Sequence, residues 1–255
     1  MLTSIKKTKL TNALKAYKKR YIDTNLKELD ESGTRLLINT FLSEVLSYEP
    51  ISEIKTEYMI KGTYADYVIQ TGGTRHFLVE VKALSLQLSD KHLRQTINYG
   101  ANEGIEWALL TNGRNFELYR ILFNKPIESR RIFAIDLSDG SKLKEFSDQL
   151  EYLHKDAMMK KSLKQLWVRF EMLHINNIAG ILFSSEIIAA IKKIIRRKCP
   201  EKFDDREILS ALHRIALEKI DPAVVKIHKS ASKIPKAPTI QAIENAVNKN
   251  LSVID

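Results

Sequence analysis

Residues 77–84 read "FLVEVKAL". Apolar residues dominate the stretch, yet Glu80 and Lys82 stand in its middle, two apart. Side chains alternate along a strand, so Phe77, Val79, Val81 and Ala83 share one face while Leu78, Glu80, Lys82 and Leu84 share the other. Glu80 and Lys82 therefore point the same way, about 7 Å apart at ~3.3 Å per residue. An edge strand with a solvated face explains such a pattern, and so does a site that needs an acid and an amine on a buried strand.

The preceding segments give the strand its neighbours. "ISEIKTEYMIKG" (51–62) and "TYADYVIQ" (63–70) alternate as strands, and "TGGTR" (71–75) turns the chain into a strand over 76–84. Folding this hairpin about Gly73 pairs residues whose numbers sum to 146, which sets Asp66 opposite Glu80 with Cβ atoms ~5 Å apart. A slip of one residue sends the two acids to opposite faces. Opposed carboxylates repel; Lys82 supplies part of the counter-charge, and a divalent ion held by hard oxygen ligands, Mg²⁺ or Mn²⁺, would supply the rest. The competing explanation is a surface ion-pair ladder worth at most ~1 kcal/mol.

Elsewhere the pattern is mixed α/β. Leu36, Leu37, Phe41 and Val45 recur at helical spacing and predict a helix over 33–48, ended by Pro50. A helix is expected over 90–103 with Ser89 or Asp90 as N-cap and Leu93 and Ile97 as its buried stripe. Gln95 and Tyr99, four apart, share a face of it, with His92 on the same side. "EWALLTNG" (106–113) and "NFELYRIL" (115–122) form a hairpin across Asn112-Gly113. The resulting order is α-β-β-β-α-β-β, a mixed sheet with a right-handed crossover through the helix at 90–103. After Gly140 the strand signal stops, and "KLKEFSDQLEYLHKDAMMKKSLKQLWVRFEML", "NIAGILFSSEIIAAIKKIIRRK" and "DDREILSALHRIALEKI" read as amphipathic helices. Residues 229–240 read as a linker before a last helix, "QAIENAVNKNL". The expected organisation is a basic helical segment at 1–30, an α/β domain at 31–140 and a helical region at 141–255.

Composition narrows the function. The 255 residues carry a net charge of +10, which attracts polyanions. Residues 1–30 hold 8 Lys/Arg against 3 Asp/Glu, whereas residues 31–140 hold 12 against 14. Basic flanks around an acidic centre suit a protein that grips phosphates peripherally and holds cations inside. Lys192, Lys193, Arg196, Arg197 and Lys198 form a dense cluster suited to backbone phosphates, or simply cations favoured at a helix C-terminus. The single Cys199 excludes a disulfide framework and a Cys-rich zinc site. The N-terminal stretch shows no signal-peptide core, and "IAGILFSSEIIAAIKKII" is too interrupted by polar residues to span a bilayer. A cytoplasmic protein without membrane partners is expected.

Asp66, then Glu80-Val81-Lys82 after thirteen residues, then Gln95-Thr-Ile-Asn-Tyr99, resembles the PD-(D/E)XK nuclease superfamily, and most closely the N-terminal nuclease domain of type I restriction enzyme motor subunits. "ESGTRLLI" (31–38), "YADYVI" (64–69), "FLVEVKAL" and "QTINYGANEGIEWALLTNGRNFELY" (95–119) resemble that group's blocks in order. The likeness covers about residues 25–137, and Ala65 stands where proline precedes the acid in the family pattern. It implies a restriction-endonuclease-like sheet flanked by helices, in an Mg²⁺- or Mn²⁺-dependent DNA endonuclease of restriction or phage defence. It further implies that Asp66, Glu80 and the Val81 carbonyl ligate the metal, helped by Glu31, and that Lys82 orients or helps deprotonate the attacking water. Gln95 and Tyr99 would support the site and touch DNA. No G-x-x-x-x-G-K-[ST] is present, so a free-standing nuclease or a module serving a partner is expected rather than a motor. The alternative is a catalytically silent nucleic-acid-binding or assembly module, with the C-terminal helices as a homodimer or partner surface.

Overall fold

The computed structural model describes residues 1–24, 29–60 and 63–217; the side chains of residues 57–60, 63, 64, 90, 95, 216 and 217 lie outside the description. The linker and last helix expected after residue 229 fall outside the described residues.

Among the described residues the sheet has six strands in sequential order: β1 (Ile54–Ile60), β2 (Thr63–Thr71), β3 (Thr74–Val81), β4 (Trp107–Thr111), β5 (Asn115–Leu122) and β6 (Glu128–Asp136). Only β3 and β4 pair in parallel, joined by the crossover helix α3 (Arg94–Glu103). This is the mixed α/β sheet expected, with one strand more. β6 carries little strand signal because its first half is charged and exposed, as suits an edge, and only Phe133 and Ile135 bury.

The β2–β3 hairpin turns at Gly72-Gly73, both at positive φ (54° and 81°), a conformation that glycine adopts without strain. Pairing starts as Thr71↔Thr74 and Gln70↔Arg75, then shifts at a bulge to Ile69↔Phe77, Val68↔Leu78 and Tyr67↔Val79. The register summing to 146 is therefore present, created by the extra residue His76 rather than by a turn centred on Gly73. The β4–β5 turn differs from expectation too. Asn112 N–H bonds the Asn115 carbonyl, so Gly113 (φ 83°) and Arg114 are the central residues, not Asn112-Gly113.

Helices cover both faces. α2 (Glu31–Thr40) continues as a wider π turn over Phe41–Val45, and buries Ile38, Phe41, Leu42 and Val45. Leu36, expected inside, is 68% exposed, because the buried stripe runs through Leu37 and Ile38. α1 (Ser4–Tyr17) adds Leu10, Leu14 and Tyr17 to the same core, and α4 (Leu143–Leu150), α5 (Lys155–Met158) and α6 (Ser162–Met172) add Phe146, Leu150, Ala157 and Leu163. On the opposite face Leu93, in the turn that leads into α3, and Tyr99 of α3 bury against Leu78, Ala108 and Tyr119. Gly100 permits the close approach: a Cβ there would lie 2.7 Å from both the Ile105 carbonyl and Ile121 Cδ1.

The chain divides into two compact units, Met1–His174 and Ile175–Asp255. Composition changes at 140, but α4–α6 share the core of the sheet, so compaction continues to 174. In the second unit α7 (Ile175–Leu182), α8 (Ser185–Arg196) and α9 (Asp205–Leu217) surround Ile188, Ile208 and Leu212. Among the described residues no helix is long and apolar enough to cross a membrane.

His154 ties α5 to the π turn. Its Nδ1 accepts the Asp156 N–H at 3.1 Å, which leaves the ring proton on Nε2, 3.2 Å from Ser47 Oγ. Burial lowers the imidazole below its ordinary value of 6.5; Asp156 and Glu151 oppose this and Lys6 adds to it. The unfolded chain therefore takes up this proton first. Stability from this group is complete above the unfolded value and is lost as pH falls through the folded one. We expect the urea midpoint to drop between pH 7.5 and pH 5. His154→Gln should flatten part of that slope; an unchanged slope would exclude His154 as its source.

Candidate active site

Three elements meet at the C-terminal end of β3. β2 stays with β1 through its first residues, and β3 stays with β4 through Glu80↔Leu110 and Val81↔Thr111. The last pair between β2 and β3 is Tyr67↔Val79, so the sheet opens between the two strands beyond it. Asp66 fills the opening: its Oδ2 accepts the Val81 N–H at 2.7 Å. A buried amide left by the departing strand is thereby satisfied by a carboxylate.

Asp30 starts α2, its Oδ1 accepting the Gly33 N–H at 2.7 Å. This places Glu31 in the first turn, where the helix dipole favours an acid, and Arg35 one turn on. Tyr67 donates its hydroxyl to the Arg35 carbonyl at 2.9 Å and fixes α2 on β2. The Arg35 guanidinium then reaches Asp66 Oδ1 at 2.6 Å and Glu31 Oε1 at 3.4 Å.

Glu80 is held from the other face. Lys82 Nζ lies 2.6 Å from its Oε1, and Thr96 of α3 donates to its Oε2 at 2.8 Å. Lys82 Nζ also stands 3.5 Å from Glu31 Oε2. Three acids thus surround two cations, with the Asp66 and Glu80 side chains 8% and 7% exposed and Glu31 at 41%.

The electrostatics follow from burial. Desolvation raises the Asp66 carboxyl above its ordinary value, against the Val81 N–H, Arg35 and Lys82, with Glu31 pushing the same way as burial. Desolvation likewise raises Glu80, against Lys82 and the Thr96 hydroxyl, and the charge of Asp66 raises it further. Burial pulls Lys82 down, yet its hydrogen bond to Glu80 and the charges of Glu80, Glu31 and Asp66 together leave it above the ordinary lysine value.

The charge of Asp66 reaches Glu80, and counting Glu31 the three acids outnumber Arg35 and Lys82 by one. Carboxylate oxygens are the hard donors that Mg²⁺ or Mn²⁺ takes. Among the described residues no three His, Cys, Asp or Glu side chains converge as a ready cage, and Glu31 meets Lys82 and Arg35 instead.

Of the other expected residues, Tyr99 is buried at 1% in the core beneath α3. The Gln95 side chain lies outside the described residues. His76 pairs with Thr71 beside the β2–β3 turn, and His92 Nδ1 accepts the Ser89 N–H at the start of the turn before α3. Lys192, Lys193, Arg196, Arg197 and Lys198 belong to the second unit. There the first three line a groove of about 560 Å³ with Ser185, Ala189 and Asp205, and Lys192 pairs with Asp205 at 2.6 Å.

Arg35 and Thr96 carry no expected role, and Asn112 is expected only as a turn residue. The i, i+4 spacing of Glu31 and Arg35 was a visible signal; Thr96 gave none beyond adjoining Gln95. Asn112 anchors the segment after β3: its amide donates to the Leu86 and Leu84 carbonyls, and its Oδ1 accepts the Arg114 and Asn115 N–H groups.

Residues 30–128 match the family described as type I restriction enzyme R protein N terminus. That stretch is nuclease-like, and it contains every residue of the carboxylate cluster. No curated protein and no solved structure matches the chain.

Thr96→Val keeps the shape of its side chain but leaves Glu80 Oε2 without its hydroxyl donor. An unsatisfied buried acceptor costs about 1–3 kcal/mol. Urea unfolding should show a loss in that range, whereas a loss below a few tenths would mean that Thr96 does not hold Glu80.

Proposed function

We propose that this chain is a nuclease that hydrolyses DNA phosphodiester bonds with a divalent cation, Mg²⁺ or Mn²⁺, in a restriction-related role. The observation that carries the reading is the buried Asp66–Glu80 pair with Lys82 beside it at the opened end of the sheet, within the stretch similar to the restriction-enzyme R terminus. Asp66, Glu80 and the Val81 carbonyl would hold the ion, with Glu31 joining directly or through water. A bound ion would polarise a phosphate oxygen and lower the pKa of a bound water. Lys82, a protonated donor beside Glu80, would orient the water and offset charge on the phosphate. Tyr99 would act through packing, by holding α3 and hence Thr96 in place, and a role for Gln95 in supporting the site or touching DNA rests on the family resemblance alone.

The net charge of +10 and the basic groove of α8 support a polyanionic substrate. The restriction setting rests on family analogy, as does a cytoplasmic location together with the single cysteine. Surfaces of the C-terminal helices would serve a second copy or a partner; Ile194 and Ile215 are half exposed there.

One observation favours the alternative, a silent nucleic-acid-binding module: all four oxygens of Asp66 and Glu80 already have partners inside the protein. Supercoiled plasmid incubated with Mg²⁺ or Mn²⁺ separates the two. A nuclease nicks it, and Asp66→Ala and Lys82→Ala each lose about a hundredfold or more of the rate. Salt-sensitive binding without cutting, unchanged by either substitution, would establish the module instead.

For either role, Lys193→Ala combined with Arg196→Ala should lower the slope of log affinity against log salt by about 2, since each phosphate contact contributes ~0.9. An unaltered slope would remove α8 from the interface.

A further inference from the structure

We propose that Arg35 is the resident counter-ion of Asp66 and competes with the divalent cation for it, so that the ion enters only as the guanidinium withdraws from Asp66 Oδ1. This rests on the reading of the carboxylate pair as a cation site.

The two cations meet at one carboxylate. Asp66 Oδ2 accepts the Val81 N–H at 2.7 Å and Arg35 stands on Oδ1 at 2.6 Å, so an ion bound to Asp66 would lie beside the guanidinium. A guanidinium stays charged across the accessible pH range, so it cannot yield by losing a proton and must move. A second ion at the same oxygen would meet the full repulsion of a charge held in a partly buried pocket.

The site is built to let the side chain move while its backbone stays. Tyr67 pins the Arg35 carbonyl at 2.9 Å, so α2 need not shift. Glu31, one turn back, already lies 3.4 Å from the same guanidinium and is far more exposed than Asp66. Arg35 thus has a second carboxylate within reach, nearer solvent. Lys82 sits on Glu80 at 2.6 Å rather than on Asp66, so displacing it would not free Asp66 Oδ1. Without the ion, Arg35 keeps Asp66 paired; with it, the same side chain is released toward Glu31 and the surface.

Mn²⁺ titration by calorimetry, read beside its electron paramagnetic resonance signal, tests this without any nuclease assay. Arg35→Met removes the charge, and Arg35→Gln removes the charge while keeping an N–H donor for Asp66 should the first variant not fold. The folded variant should bind Mn²⁺ at least about tenfold more tightly than the native chain, the size expected for one charge-assisted hydrogen bond. It should also show a larger Mn²⁺-induced rise in melting temperature. Asp66→Asn should lose binding. Native protein that binds Mn²⁺ through Asp66, with equal or weaker binding in the Arg35 variants, would overturn the competition while leaving the cation site intact. Absence of Mn²⁺ binding in native protein and Arg35 variants alike would overturn both.

Discussion

The hydrogen bond from the Val81 amide to the Asp66 carboxylate is the constraint on which this site depends. Two paired strands cannot part inside a protein unless the amides they abandon find other acceptors. Here β2 leaves β3 after Tyr67↔Val79, and the acid on the departing strand reaches back to close the gap. The opening brings α2 from one face and α3 from the other to the same strand end. Arg35 and Thr96 could not otherwise address two neighbouring carboxylates from opposite layers of the molecule.

Charge then organises what the opening exposes. Asp66 and Glu80 are buried enough that ionisation is disfavoured, and each is given one cation and one neutral donor: Arg35 with the Val81 amide, Lys82 with the Thr96 hydroxyl. Glu31 touches both cations and neither acid, so it tethers Arg35 and Lys82 from the solvent side. Such a network is costly to break at one member, because the partner charge is then left buried and unpaired.

The scaffold beneath is a single sheet with a large core on the α2 side and a smaller one under α3. The N-terminal helix is part of this core rather than a separate arm: Leu10, Leu14 and Tyr17 are buried, and the Leu2 N–H and Lys7 both reach the buried Glu151. The basic cluster of α8 lies in the other compact unit, around its own apolar centre.

Much of the site was legible in the sequence because strand alternation is local. The spacing of Phe77, Val79 and Val81 against Leu78, Glu80 and Lys82 determines which residues share a face, and sets Glu80 and Lys82 on the same one. The charge of the chain and the helical character after residue 140 are likewise written in composition and periodicity. The tertiary structure decided the rest. It set the register through a bulge at His76 that compensates the Gly72-Gly73 turn, and moved the β4–β5 turn one residue because the Asn112 side chain binds distant backbone. It also supplied Arg35 and Thr96 as partners. Local periodicity fixes the direction of a side chain along its own strand or helix, whereas a bond between residues 35 and 66, or 80 and 96, exists only once separate elements have packed.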